Sequence, residues 1–499
     1  MGLAGTRLVR RAIERKELEE LLICAGRNFL DCQLLKDPYQ MFSTKFSTDQ
    51  GDERRIRVAV IGAGLSGLAV ANGLLKHTSA RFDVQVFERD TIAFDSERGG
   101  YQIRISGDGL NALKTISDDD LWLLIREAWA GDEAAAPAVV DASNFEVRLR
   151  LADLKLYPKS RAIPREGLRR ALLQPLLAQR RVHFSHRFTK FEIMPKKSDG
   201  VQLHFEDQPS QEADILIAGD GSGSQVNRQV GLNNKVKLQT QTLIQSRATI
   251  PRSVRDTLPS SLIHNGSVMF LGGTDATGFA SIYDPKKDFA TAGTESYTLF
   301  WSLLVRRARG DHIIAQAGDN PQKMVPHLVD YIRKDLRYGD ALPSVMQSAT
   351  DYLRTGLVTS SVKPSVDWRQ GIDKNARVIL LGDAVHPMTP GRGMGANQAL
   401  TDAGNVVNLF NGGVFESGVP SDGELAALVR TFEAEMYSRA FKWVKRSEDM
   451  TSLDLTSVRG KLLISFVGII LNVMGWFASA LEALGLKTEE KLDYVSHHK

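Results

Sequence analysis

The sequence predicts an α/β protein: a parallel-sheet domain opened by a βαβ element, interrupted by a mixed-sheet domain and followed by an apolar C-terminal helix. Three observations predict it. A β-branched run from Arg57 to Ile61 leads into Gly62, Gly64 and Gly67 and a helical segment from Leu65 to Leu75, with a second run at Phe82 to Phe87. Between Thr242 and Thr355 the pattern changes to strand-like pieces broken by Gly and Pro (Leu243 to Pro251, Ser267 to Gly273, Phe279 to Tyr283, Tyr297 to Leu304), then helices. At Arg377 to Leu381 a further strand leads into a helix from about Met394 to Phe410, so the first domain is discontinuous.

The expected division is an N-terminal extension over 1–55, the first domain over 56–235 and 356–455, a substrate-facing domain over 236–355, and an apolar helix with its tail over 456–499. The chain of 499 residues is long enough for more than one core. A hydrophobic share of 42% beside 24% charged residues is ordinary for a globular protein. The net charge of +4 is spread over 63 basic and 59 acidic residues, with no concentrated patch for a phosphate backbone, so nucleic acid is not an expected partner. Cys24 and Cys32 lack the spacing of a redox pair or zinc site, which fits a reducing, intracellular compartment.

The lead-in before Ile56 is mixed in charge and is read as partly helical from Arg7 to Leu35. It has no apolar stretch of secretory length, and Glu14, Glu17, Glu19 and Glu20 argue against a mitochondrial presequence. Met1-Gly2 with Thr6 matches a myristoylation pattern too short to decide anything. Near the other end, Leu462 to Leu481 has no charged residue and is about long enough to cross a bilayer core as a helix. The alternative is a buried or amphipathic helix, because Ser465, Asn472 and Ser479 recur at helical spacing.

Gly62, Gly64 and Gly67 form GxGxxG between a strand and a helix, where glycines permit a tight turn and close backbone approach to a pyrophosphate. The helix start adds free N–H groups and a positive dipole end. Glu88 follows 21 residues after Gly67, where a carboxylate can accept the hydroxyls of an adenosine ribose. Two later motifs point to FAD rather than NAD as the resident cofactor. Asp214 to Gly221 is an apolar strand ending in Gly219-Asp220-Gly221, followed by Ser222, Ser224 and Arg228. Gly382-Asp383-Ala384-Val385-His386-Pro387 and the glycine-rich stretch through Gly395-Ala396-Asn397 place an Asp for ribityl hydroxyls and a helix start for the anionic edge of a reduced flavin.

On these residues, in this order from Ile56 to about Phe441, the chain resembles the FAD-dependent monooxygenases of the p-hydroxybenzoate hydroxylase fold, in particular those of fungal secondary metabolism. The resemblance implies a Rossmann-like FAD-binding domain interrupted by a mixed-sheet substrate domain. It implies that Glu88, Gly100, Arg165, Asp383 and Ala396 contact FAD, and that Asp220 serves both FAD and a transient NADPH or NADH. Arg392 stands where the family often has Gln, and Gly395-Ala396-Asn397 where many members have Asn directly after Met. The activity implied is NAD(P)H- and O2-dependent hydroxylation or epoxidation of an apolar or aromatic natural-product intermediate, with no metal.

His386 invites a general-base role, but its place in the Gly-Asp-Ala turn favours packing or flavin support. Arg247 and Tyr283, on strands of the substrate domain, are the catalytic candidates, able to hold or deprotonate a phenol-like substrate, against the alternative of salt-bridge or packing roles. The rivals are another flavin oxidoreductase, a halogenase (whose WxWxIP signature is absent) and a non-catalytic flavin-binding protein. Membrane contact through Leu462 to Leu481 is the remaining expectation about partners.

Overall fold

The computed structural model describes residues 55–78, 81–92, 101–129, 136–154, 160–194, 200–283, 296–318, 320–365, 368–369, 376–449 and 454–483. Gly100 and the helix expected over Arg7 to Leu35 lie outside the described residues.

A five-stranded parallel sheet organises the first domain, in the order Val378–Leu380, Ile215–Ala218, Ile56–Ile61, Phe82–Phe87, Val182–His183. Helices cover such a sheet, so its strands read as nearly unbroken apolar runs: Ile215–Ala218 and Val378–Leu380 are wholly buried and Ile56–Ile61 almost so. Helices Leu65–Thr78, Arg165–Ala178 and Gly395–Phe410 supply Leu68, Leu74, Leu172, Leu400 and Val406 to one core with Val58, Val84 and Ile217. In a parallel sheet of this kind ligands sit beyond the C-terminal ends of the strands. Gly62, Glu88, Gly219 and the Asp383 turn all follow such ends.

The second layer is a seven-stranded sheet whose long strands are Lys235–Pro251, Ser296–Arg306, Ala276–Tyr283 and Ser267–Gly272. Lys235–Pro251 starts eight residues before the strand expected from sequence, because Lys235 to Lys237 pair with Thr359 to Ser361 across an irregularity in register. The sheet also takes in Ala138–Asp141 and Val147–Arg150, from a stretch that the sequence pattern grouped with the first domain. Hydrogen-bonding edges, not chain order, decide which sheet a short strand joins. One face packs on helices: Ile244, Ala248, Leu299, Trp301 and Ile282 share a core with Ile313, Leu328 and Val345. Alternation along the strands turns Gln245, Arg247, Phe300, Ser281 and Tyr283 to the opposite face.

The C-terminal run forms one helix, Val458–Ala483. Gly460, Ile464 and Gly468 are buried, Ile464 packs with Val139, Leu271 and Leu455, and Lys461 Nζ lies 2.9 Å from Asp141. The expectation of a membrane-crossing segment is corrected on this point: among the described residues no helix is long and apolar enough to cross a membrane. The helix lends one face and a lysine to the seven-stranded sheet, whereas a spanning helix meets lipid all round.

Candidate cofactor and active site

The glycines of the first turn have separable reasons. Gly62 has φ +99°, and a Cβ there would lie 2.7 Å from Gly219 O. A Cβ on Gly67 would lie 2.1 Å from Gly62 O, so helix and strand close against each other only without a side chain. Gly64 differs: the nearest protein atom to a Cβ would be Gly219 O at 3.8 Å. Among the described residues nothing fills that cradle, which leaves the open side for a ligand's approach. Glu88 is buried behind this turn, its Oε2 accepting the Ala63 N–H at 2.7 Å and its Oε1 the Asp90 N–H at 3.1 Å. Arg169 donates to Ala63 O at 2.7 Å and stands 3.9 Å from Glu88. Burial lowers the Arg169 guanidinium below its usual value, against the pull of Glu88.

The three motifs converge through direct contacts. Gly219 N donates to Ile61 O at 2.9 Å and Leu381 N to Ala218 O at 3.1 Å, continuing the parallel ladder past the strand ends. A Cβ on either Gly219 or Gly382 would lie 3.2 Å from Ser66 Oγ, so the second and third turns both abut the helix that the first opens. Asp220 Oδ2 accepts the Gln225 N–H at 2.9 Å, while Oδ1 is buried with no hydrogen-bond partner among the described residues. Burial raises the Asp220 carboxyl. Asp383 keeps access to solvent along the groove, but crowding by protein on its other sides pushes its carboxyl up against the pull of His386, Arg165 and Lys235. Arg165, which opens its helix and donates its N–H to Tyr101 O at 3.0 Å, thus acts on the same groove. The open position at Gly64 and the unpartnered Asp220 oxygen are compatible with a bound FAD.

Ala396 is half-buried in the first turn of the helix Gly395–Phe410. Its neighbour Asn397, singled out in the sequence only as a departure, accepts the Ser106 N–H at 2.9 Å and donates to Arg104 O at 2.8 Å, tying the strand Gln102–Ser106 to that helix start. Arg392 donates to Arg446 O at 2.9 Å. His386 is fully buried, its Nε2 2.6 Å from Asp402. That partnership is the signal sequence reading missed, since Asp402 lies in a helix that reads as ordinary amphipathic packing.

The seven-stranded sheet approaches this groove with its non-core face. Tyr101 packs on Phe300 with ring centroids 5.4 Å apart. Arg247 lies beside Phe300 in register, stands 3.7 Å from Glu166, and stacks over Tyr352 at 4.5 Å. Tyr283 ends the strand Ala276–Tyr283 opposite Thr298 and is buried. Arg247 and Tyr283 therefore share the sheet face that meets the start of the Arg165 helix, though Arg247 is already engaged by Glu166 and Tyr352.

With this geometry in place, comparison with known proteins defines the class. Residues 359–412 match the family model described as FAD binding domain. In the solved HpxO protein of Klebsiella pneumoniae, complexed with FAD and uric acid, the same fold recurs with a TM-score of 0.60 and 19% identity, covering 84% of this chain and 96% of that one. By this match and by its fold the chain carries an FAD-binding domain and is similar to the FAD-dependent monooxygenase class.

Its similarities within that class are distant. A dual O-methyltransferase/FAD-dependent monooxygenase of Phaeosphaeria nodorum is 24% identical over 439 residues, 78% of this chain but 45% of the relative. The 3-amino-4-hydroxybenzoate 2-monooxygenase of Streptomyces cremeus is 27% identical over 409 residues, 78% of this chain and 86% of the relative. The chain spans about half the length of the first curated relatives it matches.

Proposed function

We propose that the protein is a monooxygenase that uses NAD(P)H and O2 to hydroxylate or epoxidise an apolar or aromatic natural-product intermediate. The observation that carries this reading is the contact of one sheet face with the start of the helix Arg165–Ala178, through Phe300 on Tyr101 and Arg247 on Glu166, with Arg165 acting on the Asp383 carboxyl. Bound FAD supplies hydride acceptance and oxygen activation. The protein's share would be to hold the cofactor through the Gly64 cradle and Asp383, to offer it the N–H groups at the start of the Gly395–Phe410 helix, and to exclude water with the sheet. Phe300 and Tyr101 offer aromatic surface to an apolar substrate, and the Tyr283 hydroxyl and Arg247 guanidinium offer polar contacts to a phenolic oxygen.

The test is NAD(P)H-driven oxygen consumption by purified flavoprotein supplied with a cell extract, with mass spectrometry for metabolites that gain one oxygen. A product that forms at the same rate in FAD-free protein overturns the reading. Flavin binding without any NAD(P)H-driven oxygen uptake favours a non-catalytic flavin-binding protein.

The outer face of the helix Val458–Ala483 supports a second element of this reading, contact with a lipid surface. Val458, Leu462, Phe466, Ile469, Val473 and Trp476 stay 50% to 73% exposed at spacings of three and four, on one side of the helix. No charged residue occurs from Leu462 to Trp476. That face is about 27 Å long by roughly 10 Å wide, far below the ~800 Å² per partner of a stable protein interface, so a second copy docked through it alone would be held weakly. An apolar face lying in a lipid interface needs no such complementary area.

A further inference from the structure

Lys235 begins the long strand Lys235–Pro251 in pairing with Ser361, at the place where two carboxylate-bearing turns meet. Its Nζ donates to Gly221 O at 3.2 Å, and Gly221, at φ +77°, directly follows Asp220. The backbone beside it is tied to the other turn. Asn234 Nδ2 donates to Val385 O and to Val362 O, both at 2.9 Å. Asn227 Nδ2 donates to Asn234 Oδ1 at 3.0 Å and to Ala384 O at 2.8 Å. Two buried amides thus hold the start of this strand against the turn that carries Asp383.

Three charged groups act on the Lys235 ammonium: Asp220 from the turn after Ile215–Ala218, Asp383 from the turn after Val378–Leu380, and Arg228 from the helix Gln225–Gln229. Burial, with Arg228 pushing the same way, outweighs the upward pull of Asp220 and Asp383 and leaves the ammonium at about 8. Arg228 is turned to Gly223 O, 3.2 Å away.

Two carboxylates in a groove that must receive a diphosphate pose an electrostatic problem. Like charges brought to one place repel one another, and a fixed cation between them offsets that repulsion. We propose that Lys235 is that counter-charge: a positioning residue whose ammonium lets Asp220, Asp383 and the cofactor's diphosphate share one groove. The inference rests on the reading of Asp220 and Asp383 as cofactor residues, and it concerns a lysine outside all three motifs.

A positioning role of this kind carries a pH signature. Above the pH at which Lys235 loses its proton the two carboxylates face the diphosphate unscreened, so cofactor affinity falls as pH rises. The experiment uses full-length apoprotein and reads FAD binding by quenching of flavin fluorescence, for wild type, Lys235→Met and Lys235→Arg, at about pH 6.5 and about pH 9.5. Expected is about tenfold weaker binding by wild type at the higher pH, with Lys235→Met weak and flat and Lys235→Arg tight and flat, since arginine stays charged throughout. Lys235→Met that binds FAD as wild type does at the lower pH overturns the proposal. If Lys235→Met does not fold, Lys235→Arg decides: retention of the wild-type pH slope in that variant overturns it equally. Wild-type protein that binds no FAD at either pH defeats the flavin reading itself, a different result.

Discussion

His386 Nε2 and Asp402 Oδ2 lie 2.6 Å apart, both side chains wholly out of solvent, behind the turn that presents Asp383. The same Asp402 oxygen accepts the Gly382 N–H at 2.8 Å, and the other takes Arg439 at 2.7 Å. Burial alone would raise the Asp402 carboxyl, yet His386 and Arg439 outweigh it and hold it at about 2. The turn is therefore fixed from behind by a buried charge network, and His386 acts through Asp402 rather than on a substrate.

Asp402→Asn leaves Arg439 facing a neutral amide and a buried imidazole without its acceptor. Breaking a buried pair in this way costs about 3–5 kcal/mol. Thermal unfolding should show a clear drop and purified protein a lower flavin content. The folded carboxyl sits below its ordinary 3.8, so its contribution is complete above about pH 4 and disappears as pH falls toward about 2. The melting-temperature gap between wild type and variant should narrow in acid; a gap that stays constant contradicts the network.

Gly67→Ala and Gly64→Ala should behave differently although both sit in one motif. The first forces a methyl to 2.1 Å from Gly62 O and should destabilise the protein even without cofactor, by about 1–3 kcal/mol or more. The second meets nothing closer than 3.8 Å and should leave the melting temperature of apoprotein nearly unchanged while weakening FAD binding by about tenfold or more. Unaltered FAD binding by Gly64→Ala would remove the cradle from the cofactor site.

Tyr283→Phe tests the sheet face. If the hydroxyl serves substrate, product-coupled NAD(P)H oxidation drops by about tenfold or more, with FAD affinity as in wild type. A parallel loss of FAD affinity and product assigns Tyr283 to packing.

Replacing Leu462, Phe466 and Ile469 together by Ser should reduce flotation with phospholipid vesicles and leave flavin binding intact, since all three side chains are exposed and far from the motifs in sequence. Equal flotation of variant and wild type would rule out lipid contact through this face.

Much of the fold was legible because its signals are local. The run Ile56–Ile61 into Gly62 announces a strand and a turn through backbone sterics within a dozen residues, and the chemistry of Glu88, Asp220 and Asp383 is marked by their positions just beyond apolar strands. The same locality limits what can be read. Val139 and Leu149 carry no mark that assigns them to the seven-stranded sheet, and the uncharged run from Leu462 onward looks the same whether it crosses a bilayer or docks by one face.

The sequence by itself determined that strand-end turns bearing glycine and carboxylate would recur along this chain, and in what order, because each is written in consecutive residues. Only the tertiary structure decided which side chains meet there: Lys235 beside Gly221, Asn397 beside Arg104 and Ser106, Asp402 beside His386. The physical reason is that a buried polar group is satisfied by whatever donor or acceptor folding brings within about 3 Å, and sequence separation places no limit on which partner that is.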